Sequence, residues 1–386
     1  EMSASLVGSE MCIRDRPIIV LVISLFGVFC ILMATASPFT GEELTFEEIT
    51  ANLNLSKVRM QLIWMVIGFV CMFVVMLVSY KLYAKIWYAV AGVALALLVM
   101  VIAFGSVRGG TKGWLVISEA HNITFQPSEI VKLAVVILSA FFLSRRPLKT
   151  FADLLPALGV FCVIVAVLLY QMDIGTTMVY VVIFAGMLFV SGAKLRHIGI
   201  LALAAVAAFL LLWFFAMGDQ QKSRILNFGN TEDVDQLRYS KIAIGSGGVF
   251  GKGLFSVGNM SQLSYIPAIE TDFIFAVIGE SLGFAGCLVI ILLYMALIFR
   301  LWQLMRGCRD KYGKLIIAGI MFMYMFHIFE NIGMTIGVMP ITGIPLPFIS
   351  YGGTNFVTNM IGIGLVMSVC LYRPESVTNN PEELEI

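Results

Sequence analysis

The sequence predicts an all-α, polytopic integral membrane protein with about ten transmembrane helices. Of its 386 residues, 60% are apolar or aromatic and only 13% are charged, against about 45–50% and about 25% in an ordinary soluble domain. The mean hydropathy is +0.95. Apolar runs of the roughly 20 residues needed to cross a bilayer recur along the chain. A net charge of +1 offers no overall basicity for nucleic-acid binding. The seven cysteines are dispersed with no C-x-x-C pair, and there are three histidines, so neither a disulfide framework, a zinc site nor a His-built catalytic centre is expected.

Residues 1–16 (EMSASLVGSEMCIRDR) begin without Met and are polar and unpatterned. With no apolar h-region they are not a signal peptide, and SLVGSEMCIRDR looks like translated adapter sequence, so this leader is expected to be foreign to the protein. The apolar runs follow at 17–36, 58–80, 87–106, 128–144, 154–172, 174–192 and 195–216. A long connection, about 217–271, separates these from 272–299, 315–338 and 354–372, and 374–386 form a tail. An even number of spans puts both termini on one side.

Positive charge chooses that side. With cytoplasmic termini, the short inner connections hold thirteen cations: Lys81, Lys85, Arg145, Arg146, Lys149, Lys194, Arg196, Arg300, Arg306, Arg309, Lys311, Lys314 and Arg373. The short outer ones hold four, Lys57, Arg59, Arg108 and Lys112. Both termini are therefore expected inside, with the large loop between spans seven and eight outside. The inner connections leave no room for a nucleotide-binding domain, which points to chemistry at the outer leaflet without ATP.

Ionisable residues within or at the mouths of spans are functional candidates by default. Glu129 and Lys132 follow Gln126-Pro127-Ser128 at the outer start of the fourth span. Their spacing suits an i,i+3 ion pair, and a paired Lys facing a cavity is also a phosphate ligand. Asp173 sits in the break between spans five and six, where an N-cap accounts for it. Glu280 and Glu330 lie inside spans eight and nine and are read as interhelical hydrogen-bond partners. Asp272 is the leading candidate. It begins the eighth span where the cationic loop meets the membrane, with Thr271 read as the N-cap. The run Gly245-Ser-Gly-Gly-Val-Phe-Gly-Lys-Gly253 fails the P-loop pattern, because Gly245 is one residue too far from Gly251 and Gly253 follows Lys252. It reads as a re-entrant glycine-rich turn or an anion nest.

Five motifs then occur in order: Gln126-Pro-Ser-Glu129 with Lys132, Gln171-x-Asp173-x-Gly175-Thr176, Ala243-Ile-Gly-Ser-Gly-Gly248, Thr271-Asp-Phe-Ile-Phe-Ala276, and Gly343-Ile-Pro-Leu-Pro-Phe-Ile-Ser-Tyr-Gly-Gly353. From 17 to 373 the chain resembles the SEDS proteins (shape, elongation, division and sporulation). Asn331-Ile-Gly-Met-Thr-Ile-Gly337, followed by Met339-Pro-Ile-Thr-Gly343, looks more like the RodA elongation branch than the FtsW division branch. The resemblance implies a ten-span glycosyltransferase that polymerises lipid II into glycan strands for elongation and rod shape. It also implies work within the elongation machinery beside a class B penicillin-binding protein, in the lipid of the bacterial cytoplasmic membrane. Asp272 matches the essential acid, Trp114 an important aromatic of the third-to-fourth loop, and Glu129 with Lys132 a cavity ion pair; Asp173 is counted with the substrate-binding set. Three positions depart from the family pattern: Ala268 stands where an acid is usual, Glu270 where His is common, and the usual Glu-Glu-Leu-Gly reads Glu280-Ser-Leu-Gly283.

An inverting displacement at a lipid diphosphate sugar requires one base for the acceptor hydroxyl and cations for the leaving diphosphate. Asp272 is assigned the first role. Lys132 and Arg224 are assigned the second, with Lys112 or Lys252 as further cations. No cofactor is required, although a divalent cation, Mg or Mn, suits a carboxylate beside a diphosphate. The rival readings are a lipid II flippase, a scaffold that only recruits its partner, and a division or sporulation paralogue.

Overall fold

The computed structural model describes residues 2–36, 55–108, 111–118, 123–215, 217–218, 222, 235–253, 259 and 265–372, with backbone alone for 2–16, 108, 118 and 123. Its helices are α1 (Met2–Thr35), α2 (Leu55–Leu77), α3 (Tyr80–Lys85), α4 (Trp87–Phe104), α5 (Pro127–Ser144), α6 (Leu155–Tyr170), α7 (Ile174–Ser191), α8 (Leu195–Phe215), α9 (Asp235–Ser246), α10 (Ile274–Gly307), α11 (Lys311–Ile336) and α12 (Gly353–Tyr372). Among the described residues ten helices are long and apolar enough to cross a membrane, all but α3 and α9, with a 3-10 turn at Phe151–Leu154 extending the α6 span. The chain is a multi-pass membrane protein. Each apolar run read from the sequence is a helix. The first helix begins well before its apolar run, at Met2, and the eighth starts at Ile274 and continues to Gly307.

Local chemistry sets many of the ends. Asp173 caps α7 through Thr176 N, and Asp310 caps α11 through Gly313 N at 2.8 Å. Pro127 opens α5, where its missing N–H costs nothing. Gly192 and Gly337, at φ +82 and +80, close α7 and α11 in the left-handed conformation.

Burial orders the bundle. In α5, α11 and α12, 83%, 72% and 78% of the apolar span is buried, whereas in α8 none is. The first three form the centre, with α12 packed along α2, and α11 against α5, α7 and α10. The periphery displays Leu203, Phe214 and Phe215 almost fully, an apolar surface that lipid tails cover and water would not tolerate.

Two features go beyond the sequence reading. Ser106–Arg108, Thr111–Ser118 and Ile123–Phe125 form a small antiparallel sheet, β1-β2-β3, pairing Ser106 with Trp114 and Leu115 with Phe125. The connection at 217–271 contains α9, and the glycine-rich segment after it fills a break in α10. That break lies at Gly283, φ 66 and ψ −162. Lys252 N donates to Glu280 O at 2.9 Å and Gly253 N to Ser281 O at 3.2 Å. In return Phe284 N donates to Gly248 O at 2.9 Å and Ala285 N to Val249 O at 3.0 Å. A broken helix at membrane depth needs partners for its freed backbone groups, and this segment supplies them. Its amides at 251–253 are spent on backbone carbonyls, so the re-entrant reading fits and the anion nest does not.

Candidate functional site

Asp272 is presented by a turn, not by a helix. Ala268 sits at φ +55, and its carbonyl collects Thr271 N at 3.1 Å, Asp272 N at 3.0 Å and Thr271 Oγ1 at 3.0 Å. Thr271 is therefore not the N-cap expected from sequence, since its hydroxyl points back into the turn. Phe273 holds the cap position without a side-chain bond. The carbonyls of three successive residues are then captured. Tyr351 N donates to Glu270 O at 2.9 Å, Ser350 Oγ to Thr271 O at 2.5 Å, and Asn331 Nδ2 to Asp272 O at 2.8 Å. Ser350 Oγ in turn accepts from Leu346 N at 2.8 Å, and Asn331 Nδ2 also donates to Ile344 O at 2.8 Å. The Gly343–Gly353 motif and α11 thus hold the backbone on both sides of the acid. The side chain of Glu270 pairs with Lys57, so it is engaged at the rim.

Lys132 meets α11 one helical turn from Asn331. Its Nζ sits 2.8 Å from Glu129 Oε2, the ion pair expected from the spacing, and 2.9 Å from His327 Nε2. His327 Nδ1 lies 2.7 Å from Met323 O. A carbonyl only accepts, so Nδ1 carries the proton and Nε2 accepts from the ammonium. Lys132 is 1% exposed. His327 and Asn331 are four residues apart on α11, hence on one face about 6 Å apart along the axis. One face of α11 therefore touches Lys132 on one turn and the Asp272 backbone on the next. Sequence reasoning missed His327 as a site residue; its signal was a lone imidazole inside an apolar span.

Asp173 closes the same end of the bundle. Thr176 N donates to its Oδ1 at 3.1 Å, and Thr177 Oγ1 to its carbonyl at 2.7 Å. Burial pushes its carboxyl above the usual range, against the Thr176 hydrogen bonds; Glu129 adds to the rise and Lys132 opposes it. A Cβ at Gly113 would lie 3.9 Å from Asp173 Oδ2 and 4.0 Å from Gln126 Nε2, which brings β2 over this corner. Trp114 stands next on that strand, half-buried, its carbonyl accepting from Ser106 Oγ at 3.0 Å. Lys112 Nζ donates to Ile102 O at 2.6 Å, tying the strand to the end of α4.

Lys252 does not join this cluster through its charge. Its Nζ pairs with Glu280 Oε1 at 3.0 Å, and Glu280 is fully buried in α10. Glu280 thus bonds to the re-entrant segment. Glu330 Oε1 accepts from Thr342 Oγ1 at 2.8 Å, again a loop partner where an interhelical one was expected. Arg224 lies outside the described residues. Among the described residues no three His, Cys, Asp or Glu side chains gather to hold a metal ion. A divalent cation at Asp272 would rest on one carboxylate plus substrate phosphate oxygens, the pattern Mg²⁺ tolerates.

The motifs that build this end of the bundle have close relatives. A family model for FtsW, RodA and SpoVE, described as "Cell cycle protein", matches residues 16–374. The chain is 39% identical over 292 residues to the peptidoglycan glycosyltransferase MrdB of Escherichia coli K12, covering 73% of this chain and 76% of that one. It superposes with a TM-score of 0.75 and 26% identity on a solved chain described under the structural coordination of polymerization and crosslinking by a peptidoglycan synthase complex, covering 93% and 97% of the two chains. The rod shape determining protein RodA of Thermus thermophilus superposes with a TM-score of 0.68 at 25% identity, covering 93% and 96%. With its ten spans, its clamped acid and a match over nearly its whole length, the chain belongs to the FtsW/RodA/SpoVE family of cell cycle proteins.

Proposed function

We propose that this chain is a peptidoglycan glycosyltransferase that polymerises lipid II, with Asp272 as the base and the buried Lys132 as a cation for the leaving diphosphate. The observation that carries the reading is the α11 face shared by His327 and Asn331, which meets a paired, buried Lys on one turn and the clamped backbone of Asp272 on the next. The relatives named above add that this fold works on peptidoglycan.

In the reaction the acceptor hydroxyl attacks the anomeric carbon of the α-linked diphosphate sugar. Asp272 takes the hydroxyl proton, the bond to the diphosphate oxygen breaks, and a β-1,4 linkage forms with inversion. Undecaprenyl diphosphate leaves with the bonding electron pair. The Lys132 charge stabilises the anion developing on the leaving group, and Glu129 with His327 holds that ammonium in place. The clamped backbone limits the search of the carboxylate for its acceptor, the positional contribution to rate. The thirteen-to-four cation asymmetry supports placing this end of the bundle at the outer leaflet of the cytoplasmic membrane. The Asn331–Gly343 segment favours the elongation branch and a class B penicillin-binding protein as partner.

The test is purified protein with lipid II in detergent, with and without that partner. Polymer is expected from the wild type. Asp272→Asn, which keeps size and removes the base, is expected to lose about 10²-fold or more. Near-normal polymerisation by that variant would overturn the assignment of the base. Lipid II transport across vesicles without polymer formation would favour a flippase.

A further inference from the structure

Glu330 has no part in the chemistry above, yet its surroundings are those of the site. It is fully buried on α11. Oε1 accepts from Thr342 Oγ1 at 2.8 Å, while Oε2 has no hydrogen-bond partner. A buried acid with one oxygen unmatched is costly, and an apolar residue would pack this interior more cheaply.

The bond to Thr342 reaches both acids of the site. Thr342 O lies where a Cβ on Gly175 would meet it at 2.9 Å, so the segment presses on the turn capped by Asp173. The next residue, Gly343, takes φ +72, and a Cβ there would stand 3.3 Å from Asp272 Oδ2. Asn331, beside Glu330, holds Ile344 O and Asp272 O together. Two successive residues of α11 thus grip the chain on either side of the glycine that faces the Asp272 carboxylate.

We infer that Glu330 is a positioning residue: through Thr342 it fixes the 342–344 segment as a wall beside Asp272, so that the carboxylate keeps the direction needed to take the acceptor proton. The inference rests on the reading of Asp272 as the base. Glu330 acts through Thr342 and touches no substrate. Releasing the latch widens the range of Asp272 orientations, and a misplacement of about 1 Å is worth about 10²-fold in rate.

The test compares Glu330→Ala, Glu330→Gln, Thr342→Val and the double variant Glu330→Ala/Thr342→Val. The readouts are lipid II polymerisation and backbone hydrogen exchange over 268–273 and 341–346. Glu330→Ala and Thr342→Val are each expected to lower kcat by about 10- to 100-fold with little change in KM. Glu330→Gln, whose amide oxygen accepts the same bond, is expected to recover most of that loss. The double variant should be no worse than the more damaged single, because both break one contact. Exchange should quicken in both segments for Ala and Val and not for Gln. Wild-type turnover by Thr342→Val, additive losses, a loss confined to KM, or unchanged exchange over 341–346 would each overturn the latch. Should Glu330→Ala fail to assemble, Thr342→Val carries the same comparison. Exchange needs no turnover, so a wild type that makes no polymer counts against the proposed activity while the latch is still decided.

Discussion

Alanine substitutions along the glycine-rich segment separate close backbone approach from simple conformational strain. Gly251 has φ +82, and a Cβ there would lie 2.2 Å from Ser281 O and 2.4 Å from Ser281 C. These are backbone atoms, so no side chain can rotate aside. The left-handed conformation alone costs a non-glycine residue about 1–2 kcal/mol. Relieving the overlap pulls the segment away from the α10 break, exposing the bonds from Lys252 N and Gly253 N; buried groups left unsatisfied cost about 1–3 kcal/mol each. Gly251→Ala is therefore expected to destabilise by about 3–8 kcal/mol. Gly248 has φ +56 but nothing within 4 Å of its Cβ position, so Gly248→Ala is expected to cost only the conformational part, about 1–2 kcal/mol. Gly245 lies in the last turn of α9 with open space around it, and Gly245→Ala should be neutral or stabilise by up to about 1 kcal/mol. The assay is the fraction of monodisperse protein surviving a temperature series in detergent. The expected order of stability is Gly245→Ala, wild type, Gly248→Ala, Gly251→Ala. Equal melting of the last two would refute the claim that contact with the broken helix is what demands glycine.

Three other perturbations probe the site. Lys132→Met strands a buried Glu129 and is expected to cost about 3–5 kcal/mol; adding Glu129→Gln should return part of it in the same melting assay, and a double variant worse than the single would count against the pairing. Burial raises the Asp173 carboxyl, so the folded state holds that proton more tightly than the unfolded chain does. Its contribution to stability is full below the unfolded value and is lost as pH rises through the folded one. Asp173→Asn should flatten that decline in melting curves taken from pH 4 upward, counting from a carboxyl reference of about 3.9, and an unchanged slope would exclude the group. Lys57 and Glu270 form a pair that is half-open to solvent on the Lys side, so either charge reversal should cost at most about 1 kcal/mol of stability. The double reversal Lys57→Glu/Glu270→Lys should restore polymerisation lost in the singles; no recovery would mean that Glu270 acts on its own.

The ten spans were legible because lipid imposes a length of about 20 apolar residues, a constraint strong enough to override local ambiguity. The i,i+3 spacing of Glu129 and Lys132 was legible for the same kind of reason: a short-range geometric rule applies within one helix. Long-range partners had no such rule. His327 lies 195 positions from Lys132, and the 28-residue separation of Lys252 from Glu280 takes in the turn at 268–273 and the first turns of α10. The break itself was invisible, since Gly283 sits in an otherwise continuous apolar run that reads as one straight span. Hydropathy registers side chains, whereas the break is a backbone event. The same distinction explains where the site is. Three irregular stretches, 247–253, 268–273 and 339–352, lie within the protein, and in a membrane such backbone survives only if other protein groups answer its N–H and C=O. The second and third answer each other through Tyr351, Ser350 and Asn331, and the first answers α10 directly. Satisfying those groups produces a polar, non-helical patch in which a carboxylate can be held without facing lipid. Asp272 stands at that junction, where the carbonyls of three successive residues are captured.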